Sequence, residues 1–354
     1  MKRLISLLIL LVVVGATAFG QAGLTKTVGP QGEDPTSYDK VTISAKDKAT
    51  IVGKNLKAAI LMHQSSDFSN ALIAGAKAVF AEYGIKVVVV TDAEMDANRQ
   101  RTDIETALAL KPDIIVTLVI DPVSGAVALK KAIDQGVKVV LISNLPSGFV
   151  HGKDYAGIVT DDLFGMGSAV AEMMGDSLGG KGNVALIYHD ANYYVTNQRD
   201  RAVKTVLQSK YPGIKIIAEK GIANPNDGEA IASAIITQNP SVNAIYAPWD
   251  TIAEGVVAAV RAAGRKDIKV FTIDLGANNA MDMVKGGNMG GIVADLPYSL
   301  GETLARMGAL SAIGVKTPPF VVVPAIKVDK SNIKEMWIKS LNREAPKEVL
   351  NALK

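Results

Sequence analysis

The sequence contains no cysteine and only three histidines, His63, His151 and His189, in 354 residues. Without a thiol there is no disulfide, no thiolate nucleophile and no cysteine to carry a lipid anchor. The histidines lie far apart in sequence, so none forms the i, i+4 pair of a helical zinc site. Aromatic residues are scarce, at 5%. Basic residues are scattered, with no Lys/Arg stripe to track phosphates, which excludes the usual nucleic-acid footprint. The one Gly-x-Ser-x-Gly match, at 175–179, joins a helix to a strand, the reverse of a nucleophile elbow, and no nucleophile–base pair or metal cluster can be assembled, so an enzyme is not expected. Two glycine-rich segments fail on context. Gly175–Gly182 lacks the Ser/Thr that should follow Lys181 in a phosphate loop, and it joins a helix to a strand, the reverse of what that loop requires. Gly165-Met166-Gly167 has Val170 where a dinucleotide fingerprint needs its third glycine, and it opens inside a helical pattern. No cofactor is expected.

What the chain does have is length, glycine and aliphatic residues. A chain of 354 residues, 48% hydrophobic with 32 glycines, suits two α/β domains. At the N-terminus, Lys2 and Arg3 precede an apolar run from Leu4 to Val14 and then small residues through Gly20. That order reads as a signal peptide over residues 1–20, cleaved near Ala18 or Gly20, and the run is too short for a membrane span of about 20 residues. Export to a periplasm without stable membrane insertion is therefore expected. Nothing in the chain signals self-association, so a monomer is expected.

Residues 21–56 are polar and rich in Gly and Pro, and they read as an extension outside the main fold. From Lys57 onward, short β-branched runs alternate with amphipathic stretches. The runs are Ala58–Met62, Val87–Val90, Ile114–Val119, Val137–Ile142, Val184–Tyr188, Ile214–Ile217, Ala244–Tyr246 and Val270–Ile273. Each suits a buried parallel strand. The alternation runs twice, about 57–160 and 161–274. This predicts two doubly wound parallel-sheet domains with a ligand cleft between the carboxyl ends of their strands.

Polar residues gather where those strands end. Ser66, Asp67 and Phe68 follow the first strand, Asp121 the third, and Ser143 and Asn144 the fourth. In the second half His189, then Trp249 and Asp250, then Asp274, and finally Asp295 occupy the same kind of position. Carboxylates and amides suit vicinal hydroxyls, an aromatic face suits the C–H patches of a sugar, and Arg199 offers fixed donors. For each aspartate the alternative is a helix N-cap. His63 and His189 end strands and suit either a ligand or a structural hydrogen bond. Asp121, Asp250, Asp274 and Asp295 around one cation, Arg199, would compensate an anionic ligand poorly, so a neutral sugar or polyol is the expected cargo, with an amine second.

From about Lys57 to Lys327 the chain resembles the ribose-type periplasmic binding proteins of ABC transporters. The resemblance rests on Ser66-Asp67-Phe68-Ser69, Asp121-Pro122, Arg199-Asp200-Arg201, Trp249-Asp250, Ile273-Asp274 and Asp295-Leu296-Pro297, in order. It departs at Ser143-Asn144, where the family has Asp-Arg, at Ser69, where an aromatic is lost, and at Trp249, which replaces an amide; these departures point away from ribose itself. The resemblance implies three crossovers, near Thr160, Ala294 and Val323. One lobe is then 57–160 plus 296–322, the other 161–295 plus 323–340, with 341–354 as a tail. It also implies hinged closure on the ligand and delivery to a membrane permease. A periplasmic receptor for a sugar-like quorum or chemotaxis signal would share this fold. A LacI-type repressor core also shares it, but needs a helix-turn-helix where the apparent signal peptide stands.

Overall fold

The computed structural model describes residues 26–354; the expected signal peptide lies outside them. The first lobe is built from β1 (Thr36–Ser37), α1 (Ala45–Val52), β2 (Lys57–Met62), α2 (Asp67–Glu82), β3 (Lys86–Asp92), α3 (Ala97–Ala109), β4 (Ile114–Thr117), α4 (Pro122–Asp134), β5 (Lys138–Ile142) and β6 (Gly157–Asp161). The second continues with α5 (Leu163–Ser177), β7 (Lys181–His189), α6 (Tyr194–Lys210), β8 (Gly213–Ile222), α7 (Gly228–Gln238), β9 (Ala244–Ala247), α8 (Asp250–Ala262), β10 (Lys269–Ile273), α9 (Ala277–Val284) and β11 (Met289–Ala294). The chain then returns through α10 (Pro297–Ala312) and β12 (Phe320–Val323), and ends with β13 (Ile326–Val328), α11 (Ile333–Leu341) and α12 (Lys347–Ala352).

The first sheet has the order β1-β12-β6-β5-β4-β2-β3 and is parallel throughout. The second has the order β13-β11-β10-β9-β7-β8 and is parallel except for the antiparallel β11–β13 pair. Central strands are covered on both faces, which is why they read as continuous apolar runs: Ala58, Ala59, Ile60, Leu61 and Met62 of β2 are all buried. The two strand sets fold as two doubly wound sheets. Passage between them occurs from Asp161 to Leu163, from Ala294 to Pro297 and from Val323 to Ile326.

Helix α10 returns to the first lobe and lies against α2 at close range. A Cβ at Gly75 would overlap the carbonyl oxygen of Tyr298, and one at Gly301 would overlap that of Leu72. Two facing glycines thus let two backbones meet where side chains would hold them apart.

Two segments differ from expectation. Residues 26–56 belong to the fold: β1 pairs with β12 (Thr36 with Val321), and Val41, Ile51 and Leu56 are buried in the first-lobe core. Weak periodicity hid this, because a two-residue edge strand has too few positions to show a period. Residues 341–354 are not a loose tail either. Leu341, Ala345 and Val349 join the second-lobe core, and α12 packs on α9.

Candidate ligand-binding site

A cavity lies between the lobes at the carboxyl ends of their strands. From the first lobe it is lined by His63, Gln64, Ser66, Phe68, Met95, Leu118 and Ser143, with Asp161 at the first crossover. From the second it is lined by His189, Tyr193, Val195, Thr196, Arg199, Trp249, Asp250 and Asp274. It leaves about 60 Å³ for the centres of water molecules, room for a handful of them.

Arg199 organises the second-lobe wall. It is buried on α6, where Nη1 donates to Asp274 Oδ1 at 3.0 Å and Nη2 to the carbonyl of Pro248 at 3.2 Å. The helix reaches this depth because a Cβ at Gly167 of α5 would overlap the carbonyl oxygen of Arg199. The glycines at 165–167 therefore serve packing. The adjacent Asp200 ties α6 to the sheet, accepting from His189 N at 2.9 Å and from the hydroxyl of Tyr246 at 2.8 Å. Asp274 stands at the end of β10 with φ of 69°, in the left-handed region, as does Ser143 after β5 with φ of 53°. Non-glycine residues adopt this conformation at a cost, and Met95, with φ of 59°, is a third lining residue that does so.

Two helices begin on aromatic residues. Trp249 is the N-cap of α8 and Tyr193 that of α6, and neither makes a side-chain cap hydrogen bond. Ser, Asp or Asn normally stands at that position. The rings instead cluster around His189, whose centroid is 5.1 Å from that of Trp249 and 5.2 Å from that of Tyr193.

Four lining side chains carry a buried polar atom with no protein partner: His63 Nδ1, Asp161 Oδ1, Arg199 Nε and Trp249 Nε1. Donors and acceptors are both among them. The carboxyls are hard to ionise together. Burial, with Asp274 nearby, pushes Asp161 up to about 8, and burial, again with Asp274, pushes Asp250 up to about 7. Burial also raises Asp274, against the opposing pull of Arg199, and raises Asp295 further. Burial lowers both His63 and His189 to about 4, keeping the rings neutral at ordinary pH.

Of the thirteen residues singled out by sequence, the cavity gathers His63, Ser66, Phe68, Ser143, His189, Arg199, Trp249, Asp250 and Asp274. Four others stand outside its lining. Asp121 caps α4, its Oδ1 accepting from Ser124 N and Oγ at 2.7 Å each. Asp67 is engaged by Arg343. Asn144 is buried, donating to the carbonyl of Val119 at 2.9 Å and accepting from Val195 N at 3.4 Å. Asp295 is buried near Asp161 and Asp274, with Oδ2 unpartnered. The strongest omission is Asp161. It ends β6, a strand so close to the crossover that no following helix pattern in the same lobe marked it. Tyr193, Thr196 and Met95 were also unmarked.

Among the described residues no helix is long and apolar enough to cross a membrane, and no group of His, Asp and Glu could hold a metal ion. Two parallel α/β lobes with a polar cavity between their strand ends define a two-lobed binding protein. Residues 58–315 match the periplasmic binding protein domain, and the chain belongs to that family, a family of binding proteins and not of enzymes. It is similar to the xylitol-binding protein of Mycolicibacterium smegmatis, 26% identical over 70% of this chain and 70% of that one. It is also similar to the ribose import binding protein of Bacillus subtilis, 23% identical over 76% of this chain and 84% of that one. A carbohydrate transporter solute-binding protein of Agrobacterium radiobacter, solved with D-arabinose, shares the fold with a TM-score of 0.72. The match is 23% identical and covers 82% of this chain and 99% of that one.

Proposed function

We propose that this chain is the substrate-binding component of an ABC transporter. It captures a small neutral sugar or polyol between its lobes by hinged closure and presents it to a membrane permease. The observation that carries this reading is the set of four unpartnered polar atoms on the cavity lining. A buried polar atom left without a partner costs about 1–3 kcal/mol, and a ligand bearing several hydroxyls, each donor and acceptor, would satisfy all four. An anionic ligand would meet Asp161, Asp250 and Asp274 against one arginine. The small volume favours one sugar ring or an open-chain polyol. Xylitol- and ribose-binding relatives support that size class. Joining the two cavity lips on closure gives the permease a surface that the open form lacks, and a monomer in the periplasm suffices for this.

The test is a thermal-shift screen, confirmed by calorimetry, with xylitol, ribose, D-arabinose and D-apiose. Ribose 5-phosphate and a polyamine serve as charged controls. A ligand at 100 times its Kd adds about 2.7 kcal/mol of stability. A shift with one of the neutral compounds and none with the phosphate is expected. Stabilisation by the polyamine alone would overturn the neutral-ligand reading.

A further inference from the structure

The segment that precedes the family match, residues 26–37, is bonded to both lobes. Its second-lobe end is Thr27, which is buried. Thr27 Oγ1 donates to Asp162 Oδ1 at 2.5 Å and accepts from Phe164 N at 2.8 Å. Asp162 caps α5 immediately after the first crossover, so this contact sits at the hinge. One residue on, the carbonyl of Val28 accepts from Gln198 Nε2 at 2.7 Å and from the hydroxyl of Tyr194, both on α6. A tight turn follows, closed by Gly32 N to the carbonyl of Gly29 and Gly29 N to that of Glu33, each at 2.9 Å. Gln31 Nε2 then donates to the carbonyl of Phe149, in the first lobe, at 3.0 Å. The chain finally enters the first sheet as β1 and is held there by Tyr38, Val41 and Ile43 on the core.

From this arrangement we infer that residues 26–35 are a clip that favours the closed arrangement of the lobes, independently of ligand. The clip is fixed to the first lobe through β1 and to the second through Thr27 and Val28. The turn between the two anchors is closed by its own backbone hydrogen bonds, so lobe opening strains the contacts at Asp162, Tyr194 and Gln198 or the one at Phe149. Those contacts are partly buried, where hydrogen bonds are less readily exchanged for water. The clip thus sets how much closed protein exists before the cargo arrives. Ligand that binds only the closed arrangement gains apparent affinity in proportion to that fraction.

The protein lacks cysteine, so a label pair can be introduced without background. Val123→Cys on the first-lobe rim and Asn192→Cys on the second are both exposed and can carry nitroxides for pulsed dipolar distance measurement. In the ligand-free protein the pair is expected to show a short-distance population. That population falls at least about tenfold relative to the long one in Thr27→Ala/Gln198→Ala, which removes three hydrogen bonds, two at Thr27 and one at Gln198. Thr27→Ser keeps the hydroxyl and should keep the short population. Circular dichroism checks that each variant is folded; should the double variant unfold, Gln31→Ala, at an exposed position, must by itself lower the short population. Unchanged distance distributions in the folded variants overturn the inference. No cargo is needed, so failure here is distinct from failure of the sugar-binding reading.

Discussion

The two walls of the cavity are made of different chemistry. The first-lobe wall is neutral and apart from Asp161 holds no charge: Phe68, Met95, Leu118, Ser66, Ser143 and a neutral His63. The second-lobe wall carries a buried arginine, two aspartates, and a tryptophan whose indole N–H has no partner. A buried charge must be held by bonds made before the ligand arrives, because leaving it unpaired is too costly. Hence the second lobe is preorganised around Arg199, while the first supplies a cover of adjustable polarity. On the proposed function, recognition falls chiefly to the second lobe and enclosure to the first.

The largest effect that could break this contrast is at Arg199. Arg199→Ala leaves Asp274 buried beside Asp161 and Asp250 without its cation and should cost about 3–5 kcal/mol. Phe68→Ala, on the half-buried first-lobe rim, should cost less than half as much in stability. Urea unfolding of both variants reads the difference, and equal costs would mean that the second lobe is not the preorganised one.

A smaller, pH-dependent effect sharpens the role of Asp161, which stands where the lobes join. Its carboxyl is raised to about 8 by burial, whereas the unfolded chain titrates near the ordinary carboxylate value. The folded state therefore holds an extra proton. Its stabilising contribution is complete below the unfolded value and is lost as pH rises through the folded one. Between pH 7 and 8.5 the histidines, lowered to about 4, contribute no slope of their own. Asp250, raised to about 7, and the raised Asp274 and Asp295 add slope of their own, so Asp161 supplies up to about 1.4 kcal/mol per pH unit of the fall in that window. Asp161→Asn, a mimic of the neutral acid, should remove that share of the slope in unfolding curves measured across the window. An unchanged slope would show that another group holds the proton.

The smallest effect separates a cap from a contact. Asp121→Ala should cost about 1 kcal/mol through loss of the α4 cap. Calorimetry with whichever neutral sugar binds should find affinity unaltered. A tenfold loss of affinity would return Asp121 to the ligand.

The residues that were legible share a reason. Arg199, Trp249, Asp250 and Asp274 are polar or amphipathic groups beside strands whose apolar runs were long enough to recognise, and a doubly wound sheet gathers such strand ends at one edge. Trp249 carries a second signal, a bulky ring where a helix should begin on a small polar side chain. Asp121 shared the pattern but caps α4 outside the cavity lining, because a strand-to-helix turn asks for the same aspartate whether or not a ligand is near. Asp161 and the clip at Thr27 were not legible, since each depends on what a crossover brings beside it rather than on local period.

The alternation of β-branched and amphipathic segments determined by itself that two α/β lobes would form, because burial on both faces of a parallel sheet leaves a pattern in every strand. Only the tertiary structure decided which strand-end polar groups face one another. That choice rests on long-range packing: Gly167 under Arg199, Thr27 against Asp162, and α12 on the second lobe. Contacts between residues tens of positions or more apart leave no period in the chain, and they set where a buried charge finds its partner.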